Sequence, residues 1–174
     1  MYYNETMYKI NFFLALAISI NIYANNDYEN FECYSTDPEL GDSAFWAITA
    51  IELYDKKKYQ DAVNVVDACF QLWAPEAGNL QKKKYENNVK QPSLGKVDWR
   101  EKKTIQENYL LNDVSMALWA KAVSLEMLEK NEILKKAYSQ CIYMSHGRAW
   151  DPNGWFWSPS NDCAKRAKKL LNKK

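Results

Sequence analysis

Two stretches of the chain carry the same apolar pattern, 72 residues apart. Apolar residues recur at three- and four-residue steps between residues 43 and 74, and again between residues 115 and 146. A short polar break divides each stretch, so each is predicted to fold as two antiparallel amphipathic helices. Shifting one stretch by 72 residues aligns Ala50 with Ala122, Leu53 with Leu125, Val66 with Tyr138 and Cys69 with Cys141. The pattern predicts an all-α fold built as a short array of helical hairpins.

The two hairpins resemble the tetratricopeptide repeat. The resemblance rests on an aromatic residue early in the first helix, Trp46 or Trp119, on small residues at the helix crossing, and on a large residue such as Tyr138 in the second helix. It implies an array closed by a C-terminal capping helix. Lys57 and Glu129 stand where the repeat usually has a glycine. Such repeats serve many functions, so the resemblance implies an architecture and no ligand.

The N-terminus has the features of a secretory signal peptide. Lys9 precedes an apolar run from Ile10 to Ile22, and small Ala24 precedes a polar stretch. We predict that residues 1–24 are removed by cleavage after Ala24, with an uncleaved membrane anchor as the alternative. The start is either Met1 or Met7. The mature protein is then exported, without a stable membrane anchor, to the periplasm if the source is Gram-negative and otherwise to the medium.

Export makes the four cysteines candidates for disulfide bonds. Cys69 and Cys141 hold equivalent places in the two hairpins, where a small apolar residue packs, so they are interpreted as buried thiols. Cys33 and Cys163 lie in the terminal segments, and a bridge between them would close almost the whole domain. A metal site is not predicted, because there is one histidine and no close cysteine pair. No cofactor is expected.

The remaining segments are placed by caps and breakers. Residues 25–42 read as an irregular lead-in to a single domain, residues 43–174. Pro75 is expected to end the second helix near Trp73, a third helix is expected at 76–87, and residues 88–97 form a break. Asp98 and Glu101 have the spacing of a capping box, which opens a helix predicted to run from Trp99 to Glu129 and to bend near Asn112.

The C-terminal part begins where His146 and Gly147 end the last hairpin, with Gly147 expected in the left-handed conformation. Residues 150–159 hold four aromatic residues, two prolines and a glycine, which predicts a rigid turn. Ser158 can cap a final helix at 159–172. With its Asp-Pro-Asn-Gly-Trp-Phe-Trp segment, the chain also looks like a group of small exported bacterial proteins, mostly uncharacterised, some of which carry a β-glucanase assignment.

A glucanase needs two carboxylates on facing walls of a cleft. Asp113 and Asp151 are the best candidates, but Asp113 is better explained by a hydrogen bond to a loop or to Arg148, and Asp151 by a turn. His146 is the only histidine, and it lies at a helix end where no nucleophile pairs with it in sequence. Catalysis is therefore not supported by any constellation of residues.

Binding is the better-supported class of function. The first helices of such hairpins line a face that receives an extended peptide or a partner helix, which makes Tyr54, Met116 and Trp119 candidate binding residues. The alternative is a carbohydrate-associated protein, a glycan binder or weak β-glucanase, that uses Trp155 and Trp157. Residues 25–79 carry 11 acidic and 3 basic residues, and residues 80–174 carry 19 basic and 10 acidic ones. This asymmetry allows head-to-tail contact, whereas export argues against nucleic acid as a partner.

Overall fold

The computed structural model describes Tyr28 and residues 30–172, so the predicted signal peptide lies outside the described residues. Over this part the chain is an all-α array with one small β-hairpin. No helix among the described residues is long and apolar enough to span a membrane. The elements are, in chain order, α1 Asp42–Asp55, α2 Tyr59–Glu86, α3 Trp99–Glu107, α4 Tyr109–Met127, α5 Asn131–Tyr143, β1 Ala149–Asp151, β2 Trp155–Trp157 and α6 Pro159–Leu171.

The two hairpins predicted from the repeat are α1 with α2 and α4 with α5, and α4 packs against both helices of the first hairpin. Of the aligned pairs, Ala50 and Ala122 and the two cysteines have no exposed surface. The first helices also end alike, because Lys57 and Glu129 both take positive φ, 60° and 54°. The repeat therefore extends to backbone conformation, and both residues adopt the conformation that a glycine would adopt without steric cost.

Helix α2 does not stop at Pro75, which corrects the predicted boundary near Trp73 and removes the separate helix at 76–87. Pro75 is exposed, while Ala74 and Ala77 on either side of it are buried against the core. A proline inside a helix costs about 3 kcal/mol. Burial of the flanking apolar face offsets this cost, so tertiary packing carries the helix through the proline.

The predicted helix from Trp99 to Glu129 is split, and the split falls at Asn108 rather than near Asn112. Side chains satisfy the carbonyls left open at the end of α3, since the Asn108 amide donates to Thr104 O at 2.7 Å and the Asn112 amide to Ile105 O at 2.7 Å. At the start of α3, Asp98 accepts from the amide of Glu101 as predicted. Glu101 does not reach back, because it accepts from the amide of Ser93 instead.

Gly147 is required for a different reason from the one predicted. It does not have positive φ, and α5 has already ended at Tyr143. A Cβ at this position would overlap the side chain of Ser115 and lie 3.1 Å from Leu111 O. The glycine therefore allows the chain after α5 to cross close to α4.

The predicted turn at 150–159 is the centre of a β-hairpin, in which Trp150 pairs with Phe156 and Asp151 with Trp155. Gly154 takes φ 95° in the turn. Gly95 extends the hairpin through two backbone hydrogen bonds with Phe156. Ser158 then caps α6 as predicted, with its hydroxyl accepting from the amide of Asn161 at 3.2 Å.

There are two disulfides, and each links one hairpin to a terminal segment: Cys33–Cys69 on the first hairpin and Cys141–Cys163 on the second. The predicted Cys33–Cys163 bridge is wrong, and so is the interpretation of Cys69 and Cys141 as thiols. The reason is that the lead-in is joined to α2 of the first hairpin, whereas α6 packs on α4 and α5 of the second. Disulfides are typical of oxidising compartments, so two of them are compatible with an exported protein.

Candidate functional site

An aromatic row crosses four elements on one side of the array. Tyr54 at the end of α1 contacts Trp119 of α4 with ring centroids 5.4 Å apart, and Trp119 contacts Trp157 of β2 at 5.3 Å. Tyr59 extends the row beyond Tyr54 at 5.7 Å. The first two contacts are edge-to-face, the arrangement that the ring quadrupoles favour. We call Tyr59, Tyr54, Trp119 and Trp157 the aromatic row.

The α-helical period explains why the row is only half-buried. On α4, Met116, Trp119 and Glu126 follow one another at steps of three and seven residues, so they share a helix face that is only partly buried. On α1, Leu53 is buried and Tyr54 is half-buried. The row therefore combines positions held rigid by the core with ring surface that solvent can reach.

A hydrogen-bonded network of charged groups borders the row. The Trp119 indole donates to Asp162 at 2.8 Å, Arg166 donates to Asp162 at 2.7 Å and to Glu126 at 3.0 Å, and the Tyr138 hydroxyl donates to Glu126 at 2.6 Å. It joins α4, α5 and α6. We call Asp162, Arg166, Glu126 and Tyr138 the polar network.

The charges within the network stabilise one another. Burial alone would raise the pKa of Asp162, but the hydrogen bonds from Trp119 and Arg166 outweigh it and lower the pKa. Burial would lower the pKa of Arg166, and its hydrogen bonds with Asp162 and Glu126 reverse this effect. The pKa of Tyr138 is raised by burial and by its hydrogen bond to Glu126. The network therefore holds its charged groups in one arrangement at neutral pH.

Arg166 retains a free donor in this arrangement. Its Nε and Nη1 atoms are hydrogen-bonded within the network, whereas Nη2 donates to no group in the described part of the chain. The Arg166 side chain is 32% exposed. The polar network can thus offer one oriented cationic donor to a carbonyl or carboxylate beside the aromatic row.

The structure brings three of the five predicted binding residues, Tyr54, Trp119 and Trp157, into the row. Trp155 lies two residues before Trp157, on the same face of the hairpin, and is 45% exposed. Met116 is half-buried and packs against the core one turn before Trp119. Within the tryptophan-rich segment Phe156 is buried, and its ring centroid lies 4.8 Å from that of Trp150, whereas Trp150 and Trp155 are exposed.

The two candidate catalytic carboxylates are not brought together as a cleft. Asp113 is only 6% exposed, and its Oδ2 accepts a hydrogen bond from Ser43 at 2.7 Å, not from Arg148. Asp151 is the last residue of β1, just before the hairpin turn, and its carboxylate accepts from the amide of Asn153. Arg148 is itself buried and donates to carbonyls, including Ser145 O at 3.0 Å and Pro92 O at 2.9 Å. These groups therefore have structural partners.

Three charged residues at the site, Glu126, Asp162 and Arg166, are not indicated as site residues by the sequence pattern. One signal was available, because the 72-residue shift aligns Glu126 with Tyr54, a residue that was placed on the binding face. Asp162 and Arg166 are four residues apart on one helix, which is typical of an exposed ion pair. Their contact with α4 depends on how α6 packs, and no local pattern in the sequence reports that.

Comparisons of the chain with protein-family models, with curated proteins and with solved structures found no match. The site is therefore interpreted from its own geometry.

Proposed function

We propose that this protein is an exported protein-interaction or assembly module of the cell envelope, with a tetratricopeptide-like array, and that the aromatic row binds an extended segment of a partner protein. The observation that carries the proposal is the row itself, in which Tyr54, Trp119 and Trp157 come from three different elements. Aromatic residues on a rigid surface provide dominant anchors in protein interfaces. The two disulfides support an oxidising compartment, which is the periplasm if the source is Gram-negative.

The chemistry of the row favours a segment with apolar side chains and an accessible carbonyl or carboxylate. The apolar side chains would pack on the exposed edges of the row, and Nη2 of Arg166 would donate to the acceptor. Because the Arg166 guanidinium is already held by Asp162 and Glu126, binding costs little further side-chain entropy.

A specific observation also favours the carbohydrate alternative. Trp155 is exposed beside Asp151, its partner across the hairpin. A flat aromatic ring next to a carboxylate can stack on a sugar and accept hydrogen bonds from its hydroxyls. Within the row, however, the edge-to-face contacts cover part of the ring faces. A glycan would thus bind chiefly through Trp155.

Site-specific photocrosslinking tests the proposal. A photoreactive phenylalanine analogue at position 155 should crosslink one partner in the intact envelope, and the same analogue at Trp99, which is 71% exposed on α3, should not. A synthetic peptide with the crosslinked sequence should then bind the purified protein. Trp119→Phe should weaken binding by about tenfold, because it removes ring area and the hydrogen bond to Asp162.

Trp99→Phe is the matched control and should leave the peptide affinity unchanged. Equal crosslinking from both positions, or equal affinities for the two variants, would contradict the protein-binding proposal. A titration with soluble β-glucan oligosaccharides, followed by tryptophan fluorescence, tests the alternative. Saturable quenching of tryptophan fluorescence that Trp155→Ala abolishes, without any peptide binding, would favour the carbohydrate-binding alternative instead.

A further inference from the structure

Helices α5 and α6 leave an apolar groove at the C-terminal end of the array. The groove has a volume of about 580 Å³. Leu171 is 66% exposed at its edge. The apolar side chains that line it are Leu134, Tyr138, Ile142, Ala167, Leu170 and Leu171.

The position of α5 among the packed helices explains why this groove is open. Helix α2 packs against α1 and against α4 of the following hairpin. Helix α5 is the corresponding helix of the second hairpin; it packs mainly against α4 and α6, and its last residue, Tyr143, also donates a hydrogen bond to Gly78 O of α2 at 3.4 Å. Helix α6 leaves Leu134, Ile142 and Leu170 lining an open groove beside it. Apolar surface is therefore exposed between the two helices in the described part of the chain, as at an interaction site.

The two ends of the array carry opposite charge. Lysines 135, 136, 165, 168 and 169 lie on α5 and α6, and both Lys135 and Glu132 line the groove itself. With Arg166, and with Glu132 and Asp162, these two helices hold six basic and two acidic residues, a net charge of +4. At the other end, residues 30–42 contain four acidic residues and no basic ones, whereas Glu52 near the end of α1 is paired with Lys56.

The acidic end also exposes large apolar side chains. Tyr34 is 64% exposed and Ile48 on α1 is 40% exposed. Glu32 and Glu39 flank Tyr34 along the chain and are exposed. One end thus offers apolar groups among carboxylates, and the other offers an apolar groove among lysines. Each end is suited to the opposite end of a second molecule.

We propose that the groove between α5 and α6 binds the acidic N-terminal end of a second copy of this chain, so that the molecules associate head to tail. The contact is heterologous, and it leaves a free groove at one end and a free acidic end at the other, so further copies can add. It uses neither the aromatic row nor Nη2 of Arg166. The proposal therefore stands independently of the proposed function.

Sedimentation velocity of the oxidised protein, purified after export with its own N-terminal segment, tests this proposal. The weight-average mass should rise with concentration through dimers and larger species. Raising the salt concentration from about 0.05 M to about 0.5 M should weaken association by about tenfold, because the attraction is between exposed charges. A protein that remains monomeric at millimolar concentration and low salt would overturn the proposal.

Two variants each disable one end. Leu171→Glu places a carboxylate in the groove, and Glu32→Lys with Glu39→Lys reverses charge at the acidic end without touching Asp37 and Asp42. Those two aspartates accept backbone hydrogen bonds in the lead-in and are kept for the fold. Each variant alone should be monomeric. An equimolar mixture should form a dimer and nothing larger, since it contains one intact groove and one intact acidic end.

Leu72→Glu is the matched control, because Leu72 is 49% exposed on α2 and does not line the groove. It should associate like the unmodified protein. If the charge-reversed variant alone still dimerises, the contact is groove to groove and the head-to-tail proposal is wrong. If the mixture stays monomeric while the unmodified protein associates, the contact uses other surfaces and the proposal is equally wrong.

Discussion

Replacing the buried carboxyl of Asp113 should change how stability depends on pH. Asp113 is 6% exposed, and the only hydrogen bond its side chain makes within the described residues comes from Ser43. Burial raises its pKa from 3.8 to about 6, and the hydrogen bond from Ser43 only partly opposes this rise. Asp113→Asn keeps the size and one acceptor of the side chain and removes the charge.

The direction in which the free energy of unfolding changes with pH follows from how many protons each state binds. In the folded protein the carboxyl has a pKa of about 6, above the 3.8 of an unperturbed aspartate. Between these values the folded state binds more protons than the unfolded state, so the free energy of unfolding falls as the pH rises. A difference of about two pKa units corresponds to ~3 kcal/mol. That stability is present below the lower pKa and is lost once the pH passes the higher one.

The Asp113→Asn variant does not lose this stability at high pH, because asparagine does not ionise. The stability difference between Asp113→Asn and the unmodified protein should therefore shift by ~3 kcal/mol in favour of the variant between about pH 4 and about pH 8. Urea unfolding of both oxidised proteins at several pH values measures this difference. Asp151→Asn is the control: the backbone hydrogen bond from Asn153 lowers the Asp151 pKa, so no gain is expected at high pH. A difference for Asp113→Asn that does not vary with pH would refute the reasoning.

Three further predictions concern stability. Gly147→Ala should lower the free energy of unfolding by about 1–3 kcal/mol in urea, because the new Cβ would overlap Ser115; an unchanged midpoint would contradict this packing. Lys57→Gly and Glu129→Gly should each stabilise the protein by about 0.5–1 kcal/mol in thermal unfolding, since both residues have positive φ. The control Lys56→Gly should destabilise the protein, because Lys56 has φ −75°. Removing either disulfide by paired Cys→Ala changes should lower the free energy of unfolding by about 3–4 kcal/mol, because the bonds close loops with sequence separations of 36 and 22 residues. A non-reducing peptide map that recovers Cys33 linked to Cys163 would refute the pairing.

Much of the fold was predictable because it depends on local patterns. Helical periodicity located both hairpins, and the 72-residue shift aligned residues that are buried in both. The caps at Asp98 and Ser158 were also predictable, since a cap involves atoms only two or three residues apart. The candidate site was predictable in part, because helical position alone placed Tyr54 and Trp119 on the face where they are found.

The errors have a common cause in contacts between residues distant in sequence. The chemistry of proline alone predicts a helix end at Pro75, but buried Ala74 and Ala77 keep α2 continuous. The chemistry of glycine alone predicts a helix stop at Gly147, but the glycine is needed where the chain passes Ser115 of another helix. In both cases tertiary packing outweighs the preference of the single residue.

The sequence by itself determined that this chain folds as an array of helical hairpins, because the spacing of apolar residues sets which helix faces can be buried. Only the tertiary structure decided which cysteines pair and which side chains form the site. Cys33 meets Cys69 and Cys141 meets Cys163 because each terminal segment packs on its nearer hairpin. Trp119 meets Trp157 and Asp162 because the β-hairpin and α6 fold back on α4. Such contacts depend on the relative position of whole elements, which the local pattern of residues does not specify.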